Sequence, residues 1–138
     1  MTGCITMIGD SGPIHAKSVK QKIVTKSSTE AELVATSDSA NQTLHLRQFL
    51  IEQGHPQKEA EVFQDNISCM NLLKKGKSCS ERTRHMSIRY FWLSEKIRKG
   101  EIKLTHIRTE DMCANLLTKP LQGAQFDRER RLLTNWDS

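Results

Sequence analysis

The sequence predicts a mixed α/β fold in which a β-hairpin opens a sheet that helices then cover. Three observations carry that prediction. Strand-like runs at 3–9, 60–65 and 102–105 are separated by long segments of helical periodicity. The turn signal Gly9-Asp10-Ser11-Gly12 follows the first run and asks for a hairpin. The later strands are joined only through helices, which implies crossover connections and parallel pairing.

The elements follow in order. Residues 3–9 form a short strand, and residues 13–24 return beside it with Ile14, Ala16 and Ser18 on one face. A helix starts near Ser28 and Thr29; Thr29 with Glu32, or Ser27 with Glu30, fits a capping box. Its apolar side carries Leu33, Ala40, Leu44, Leu46, Phe49 and Leu50, and Gly54 with Pro56 ends it. The strand at 60–65 holds Val62 and Phe63 and gives way at Asp65-Asn66 to a helix with Ile67, Met70 and Leu73, closed by Gly76. Met86, Tyr90, Leu93 and Ile97 make one helical stripe between about Thr83 and Lys99. Gly100 stops that helix, and Ile102 and Leu104 alternate with Lys103 and Thr105 in a strand. Thr109 is expected to cap a helix with Glu110 and Asp111 in its first turn, ended by Pro120. A last helix around 123–136 carries Phe126, Leu133 and Trp136, and Trp92 and Trp136 are expected to be core residues.

At 138 residues the chain suits one compact domain. No apolar run approaches a bilayer-spanning length, and Met1-Thr2-Gly3-Cys4 lacks the basic and apolar segments of a signal peptide. Cys4, Cys69, Cys79 and Cys113 are widely spaced, so reduced thiols are expected and a zinc site is not. The formal charge of +5 favours polyanions, nucleic acid first. Its placement says more than its sum. Lys17, Lys20, Lys22 and Lys26 fall in one segment, and Lys74, Lys75, Lys77, Arg82, Arg84 and Arg89 in another. Either group is equally readable as a solvated face.

Four blocks match one family in order and spacing across about residues 2–121. Lys20-Gln21-Lys22 with Ser27-Ser28-Thr29-Glu30-Ala31-Glu32 resembles the "KKQ…SSTEAE" segment of RNase H domains in Copia-type retrotransposon Pol polyproteins. Gln64-Asp65-Asn66 is similar to their "CDN", and Arg82-Thr83-Arg84-His85-Met86-Ser87-Ile88-Arg89-Tyr90 to "RTKHIDIRYH". Ile107-Arg108-Thr109-Glu110-Asp111-Met112 with Leu117-Thr118-Lys119-Pro120-Leu121 resembles "VPTEEQLADILTKPL".

The resemblance implies an RNase H-like mixed sheet flanked by helices over residues 1–121, with a helical extension at 122–138. It also implies cleavage of the RNA strand of RNA–DNA hybrids by two Mg²⁺ (or Mn²⁺) ions held by four carboxylates. Hard cations take oxygen ligands, and two of them roughly 4 Å apart stabilise the attacking and leaving oxygens. Glu32 and Asp65 match two of the four carboxylates and are the expected metal ligands. The first, central strand of the family's sheet, with its Asp, is expected to be missing, so the chain reads as N-terminally truncated. Asp10, in a turn between glycines, does not replace that Asp, and Asn115 stands where the family has the fourth. Ser87 replaces a further family Asp, and Asp111 sits a turn away from the site.

His106, at a strand end, matches the mobile histidine of cellular members and is a weak catalytic candidate. Lys20, Lys22, Lys26, Arg82, Arg84, His85 and Arg89 are the expected nucleic-acid contacts. With two carboxylates of four, the expected product is a retroelement RNase H-like domain with weak or absent cleavage. The alternatives are a non-catalytic nucleic-acid-binding remnant and a decayed fragment with no selected role. Expected partners are RNA–DNA hybrid, the reverse transcriptase domain of the parent polyprotein and, through unpaired sheet edges, a second copy; no membrane is expected. The expected location is a cytoplasmic retroelement particle with later nuclear entry.

Overall fold

The computed structural model describes residues 1–22, 25, 27–75 and 84–134, with nothing described of the side chains of residues 84 and 85. The strands are β1 (Thr2–Met7), β2 (Pro13–Val19), β3 (Ala60–Gln64) and β4 (Ile102–His106). The helices are α1 (Ser28–Glu52), α2 (Ile67–Lys74), α3 (Arg84–Arg98) and α4 (Gly123–Thr134), with two 3-10 turns, η1 (Thr109–Asp111) and η2 (Cys113–Leu117). The fold is mixed α/β and compatible with an RNase H-like architecture. Among the described residues the strands make two separate two-stranded sheets, antiparallel β1–β2 and parallel β3–β4, instead of the one mixed sheet expected. The expected parallel pairing holds for β3 and β4, and no described strand hydrogen-bonds to both pairs to merge them.

The chain divides into two units: Met1–Val24 together with Arg108–Ser138, and Thr25–Ile107. The second unit holds the apolar core. Leu33, Val34 and Ala40 of α1, Cys69, Met70, Leu72 and Leu73 of α2, Met86, Tyr90 and Leu93 of α3, and Ile102 of β4 are all buried. The Met86–Tyr90–Leu93 stripe is therefore a helix face against a core, as its spacing requires. Ser27, in extended conformation, accepts the Glu30 N–H and starts α1. Gly54, at φ +84°, turns the chain out after it, a conformation that costs other residues a Cβ clash.

The apolar side expected along α1 is buried only in its N-terminal half; Phe49 is 56% exposed. A helix of 25 residues is about 37 Å long, whereas a five-residue strand runs about 17 Å, so α1 outreaches the sheet it covers. Phe63, expected inside β3, is likewise exposed. Trp92 is half-buried, while the expected helix stop at Gly76 and the site of Trp136 lie outside the described residues.

The first unit is built differently. Its buried residues are mostly polar: Thr2, Thr6, Asn115 and Glu129, beside Cys4. The hairpin forms as expected, and its face with Ile14, Ala16 and Ser18 is exposed. Thr6 pairs with His15 and Met7 with Pro13, so Ile14 is skipped as a bulge and stands 49% exposed. Gly3 brings β1 close to η2: a Cβ there would lie 2.6 Å from Thr118 Cγ2 and 2.9 Å from the Ala114 carbonyl oxygen. The single α-helix expected from Thr109 is instead the two 3-10 turns, because Met112 at ψ 93° breaks the helical run between them. Arg108, not Thr109, precedes the first turn, and no side chain caps it. In α4 the fully buried residue is Glu129, while Phe126 is exposed.

Candidate functional site

In the second unit the two parallel strands end together. Gln64 is in register with His106, so Asp65 follows β3 at the same end of the sheet where β4 finishes. Side chains at the carboxyl ends of parallel strands are the ones a ligand meets in an α/β architecture. His106 is exposed there. Asp65 and Glu32 are both half-buried, Asp65 between β3 and α2 and Glu32 in the second turn of α1.

Local capping occupies neither carboxylate's position. Asn66 caps α2, its Oδ1 accepting the Cys69 N–H at 3.0 Å, so Asp65 is not the cap. Ser27 caps α1 through the Glu30 N–H, so Glu32 does not stand at the N3 position of the cap.

A polar network ties these positions together. Gln64 is 4% exposed; its Nε2 donates to Thr36 Oγ1 at 2.7 Å and its Oε1 accepts the Asn66 N–H at 2.9 Å. The Thr36 hydroxyl donates to the Glu32 carbonyl oxygen, one turn back, at 2.7 Å. Cys69 is fully buried in the same cluster. Burial pushes its thiol up to about 12, the Glu32 charge adds to the rise, and the Thr36 hydroxyl opposes it. Such a thiol is inert at neutral pH.

Of the basic residues, Lys17, Lys20 and Lys22 are exposed on and after β2, in the first unit. Arg89, expected on nucleic acid, forms an ion pair with Asp38 that joins α3 to α1. Lys26 and Arg82 lie outside the described residues; Arg84 and His85 open α3.

Asn115 belongs to the first unit. It is 6% exposed, and its Nδ2 donates to the Thr109 carbonyl oxygen at 2.6 Å. Asp111 is held by two arginines: Oδ1 takes Arg128 Nη2 at 2.5 Å and Oδ2 takes Arg108 Nε at 2.9 Å. The Arg128 hydrogen bond, then that of Arg108, holds its carboxyl below the ordinary range. Both groups that sequence places near a fourth carboxylate are thus spent on the first unit's own structure.

The described residues do not fit a two-ion centre. Among the described residues no three His, Cys, Asp or Glu side chains gather where they could hold a metal ion. Asn115 offers a neutral amide whose NH₂ already has an acceptor, and Asp111 is neutralised by guanidinium groups. Sequence reasoning missed Gln64, Thr36 and Asp38. A strand-end glutamine and mid-helix polar residues carry no pattern that separates them from a solvated face.

The class defined here is a mixed α/β chain with Asp65 and His106 at the common end of a parallel strand pair. The chain is similar to a short stretch of retrovirus-related Pol polyproteins of plant transposons. It is 34% identical over 116 residues to the retrovirus-related Pol polyprotein from transposon TNT 1-94 of Nicotiana tabacum. It is 30% identical over 128 and 125 residues to those from transposons RE2 and RE1 of Arabidopsis thaliana. These matches cover 84% and 90% of this chain but only 9% and 8% of the polyproteins, so it spans less than a tenth of their length. No family model matches the chain. No solved structure matches it either.

Proposed function

We propose that this chain is the RNase H-like part of a Copia-type Pol polyprotein, a hybrid-binding domain of two-metal nuclease lineage whose cleavage is weak or absent. The observation that carries this is the pairing of Glu32 and Asp65 with a spent Asn115. Glu32 lies in the second turn of α1 and Asp65 just after β3, with capping done by their neighbours, while Asn115 donates its amide to Thr109. The similarity to Pol polyproteins over most of the chain supports the lineage. Loss of an oriented charge from a preorganised site costs orders of magnitude in rate.

A second reading, a non-catalytic nucleic-acid binder, is favoured by the exposed Lys17, Lys20 and Lys22. Its partner is RNA–DNA hybrid or another nucleic acid. The parent's reverse transcriptase domain and a second copy joined at unpaired strand edges are further proposed partners. The proposed setting is a cytoplasmic retroelement particle that later enters the nucleus. No described helix is long and apolar enough to cross a membrane.

Labelled RNA–DNA hybrid incubated with the chain in Mg²⁺ and in Mn²⁺, beside Glu32→Ala, separates these readings. Cleavage lost in the variant supports a surviving nuclease. No cleavage, with hybrid affinity falling steeply as salt rises, supports the binder. Neither cleavage nor salt-sensitive binding leaves a decayed fragment and overturns both.

A further inference from the structure

We infer that the Gln64 carboxamide is a positioning latch for Glu32 and Asp65, holding strand end to helix by hydrogen bonds where a complete metal site would use an ion. The choice of these two carboxylates rests on the proposed function; the latch itself rests on the distances. Asp65 is flanked by the two latch residues of its own strand end, Gln64 and Asn66, which are joined by the 2.9 Å bond from the Asn66 N–H to Gln64 Oε1. From the other end of the same side chain, Nε2 reaches across 28 residues of sequence to Thr36 at 2.7 Å. Thr36 passes the connection to the Glu32 carbonyl at 2.7 Å, and Asn66 passes it to the Cys69 N–H at 3.0 Å. One neutral side chain thus joins the β3–α2 junction to the α1 turn that carries Glu32.

A primary amide is costly to bury unless its bonds are made, and here both ends have partners. The resembling "CDN" motif has a cysteine at this place, which cannot span both partners. The latch acts on backbone atoms and a hydroxyl, so it is indifferent to the charge on either carboxylate. Asn115 and Asp111 are already committed elsewhere.

The test is a double-mutant cycle of Gln64→Met and Thr36→Val, with Thr36→Ser retaining the hydroxyl. It is made in the full chain with Cys4, Cys79 and Cys113 changed to Ser. The readouts are the alkylation rate of Cys69, buried beside the latch, and the denaturation midpoint in EDTA and in millimolar Mg²⁺. We expect each of the first two variants to speed alkylation about tenfold, the scale of one lost buried hydrogen bond. The double variant should gain no more than either single, since both remove one link. Thr36→Ser should match the parent, and the parent's midpoint should be the same in EDTA and Mg²⁺.

Thr36 lowers the Cys69 thiol's proton affinity, so its loss alone would slow the chemistry; acceleration therefore reports opening. Additive effects, or Thr36→Ser behaving like Thr36→Val, overturn the latch. So does a Mg²⁺-raised midpoint that vanishes in Glu32→Ala, since an ion would then be holding the pair. If Gln64→Met does not fold, the contrast between Val and Ser at 36 still decides. The hybrid assays decide the proposed function separately, whatever Cys69 reports.

Discussion

Changing Asn115 to Asp restores by letter the residue of the motif it resembles and should damage this protein. The amide Nδ2 donates to the Thr109 carbonyl at 2.6 Å in a place only 6% exposed. A carboxylate has no proton to give, so the bond is lost and two lone-pair-bearing oxygens face each other. The Thr109 carbonyl keeps the Met112 N–H at 3.3 Å, so the cost is the lost hydrogen bond, about 1 kcal/mol, to which carboxylate–carbonyl repulsion and partial burial of the new charge add. Roughly 2 kcal/mol at neutral pH is therefore the expected loss, measured by denaturant unfolding.

The pH dependence supplies the sign. In the Asn115→Asp variant a protonated carboxyl donates as the amide did, so folding raises its proton affinity above the unfolded value. The stability this contributes is present at low pH and lost as pH rises through the folded value. The penalty should accordingly shrink between about pH 7 and pH 5. Cleavage of hybrid should not increase. A variant as stable as the parent at neutral pH, or one that gains Mg²⁺-dependent cleavage, would refute the assignment of Asn115 to structure.

Three further outcomes follow from the same structure. Gly3→Ala would normally gain a few tenths of a kcal/mol from the stiffer unfolded chain, but contacts of 2.6 and 2.9 Å, one of them to backbone, should reverse that. A loss of about 1–3 kcal/mol, partly recovered by Thr118→Ser, is expected in hydrogen exchange of the first unit's amides. Leu93→Ala, at a fully buried core position of the second unit, should cost about 2–5 kcal/mol, read as a lowered denaturation midpoint. Asp111 has its carboxyl held down by Arg128 and Arg108, so its contribution is present above its ordinary value of 3.8 and lost as pH falls through the lowered one. Acidification should loosen α4 from η1 in hydrogen exchange, and Asp111→Asn should do so at neutral pH.

Local chemistry made much of this molecule readable. Ser27, Asn66, Gly54 and Gly100 mark element ends by what their side chains or lack of one permit. The Met86–Tyr90–Leu93 stripe read through to the core because its period is a property of the helix alone. Illegible were the features that depend on who sits opposite. Ile14 is exposed together with Ala16 and Ser18, because nothing in the sequence of β2 says which of its faces is covered. Phe49 is exposed because α1 outruns short strands. The 109–117 segment has helix-starting residues, yet Met112 takes an extended conformation and the amide of Asn115 goes to Thr109. Gln64 was legible only as the first letter of the block similar to "CDN", not as a buried hydrogen-bonding residue.

By itself, then, the amino-acid order determined the strands β1–β4 and the helices α1–α4, the parallel pairing of β3 with β4, the Met86–Tyr90–Leu93 core stripe, and the similarity to retrotransposon polyproteins. Those rest on periodicity, caps and residue-by-residue matches, all of which are local. Only the tertiary structure decided that Asn115 and Asp111 serve the first unit, that Arg89 answers Asp38, and that Gln64 binds strand end to helix. A hydrogen-bonding side chain takes whichever partner the fold brings within about 3 Å, and sequence separation carries no record of that distance.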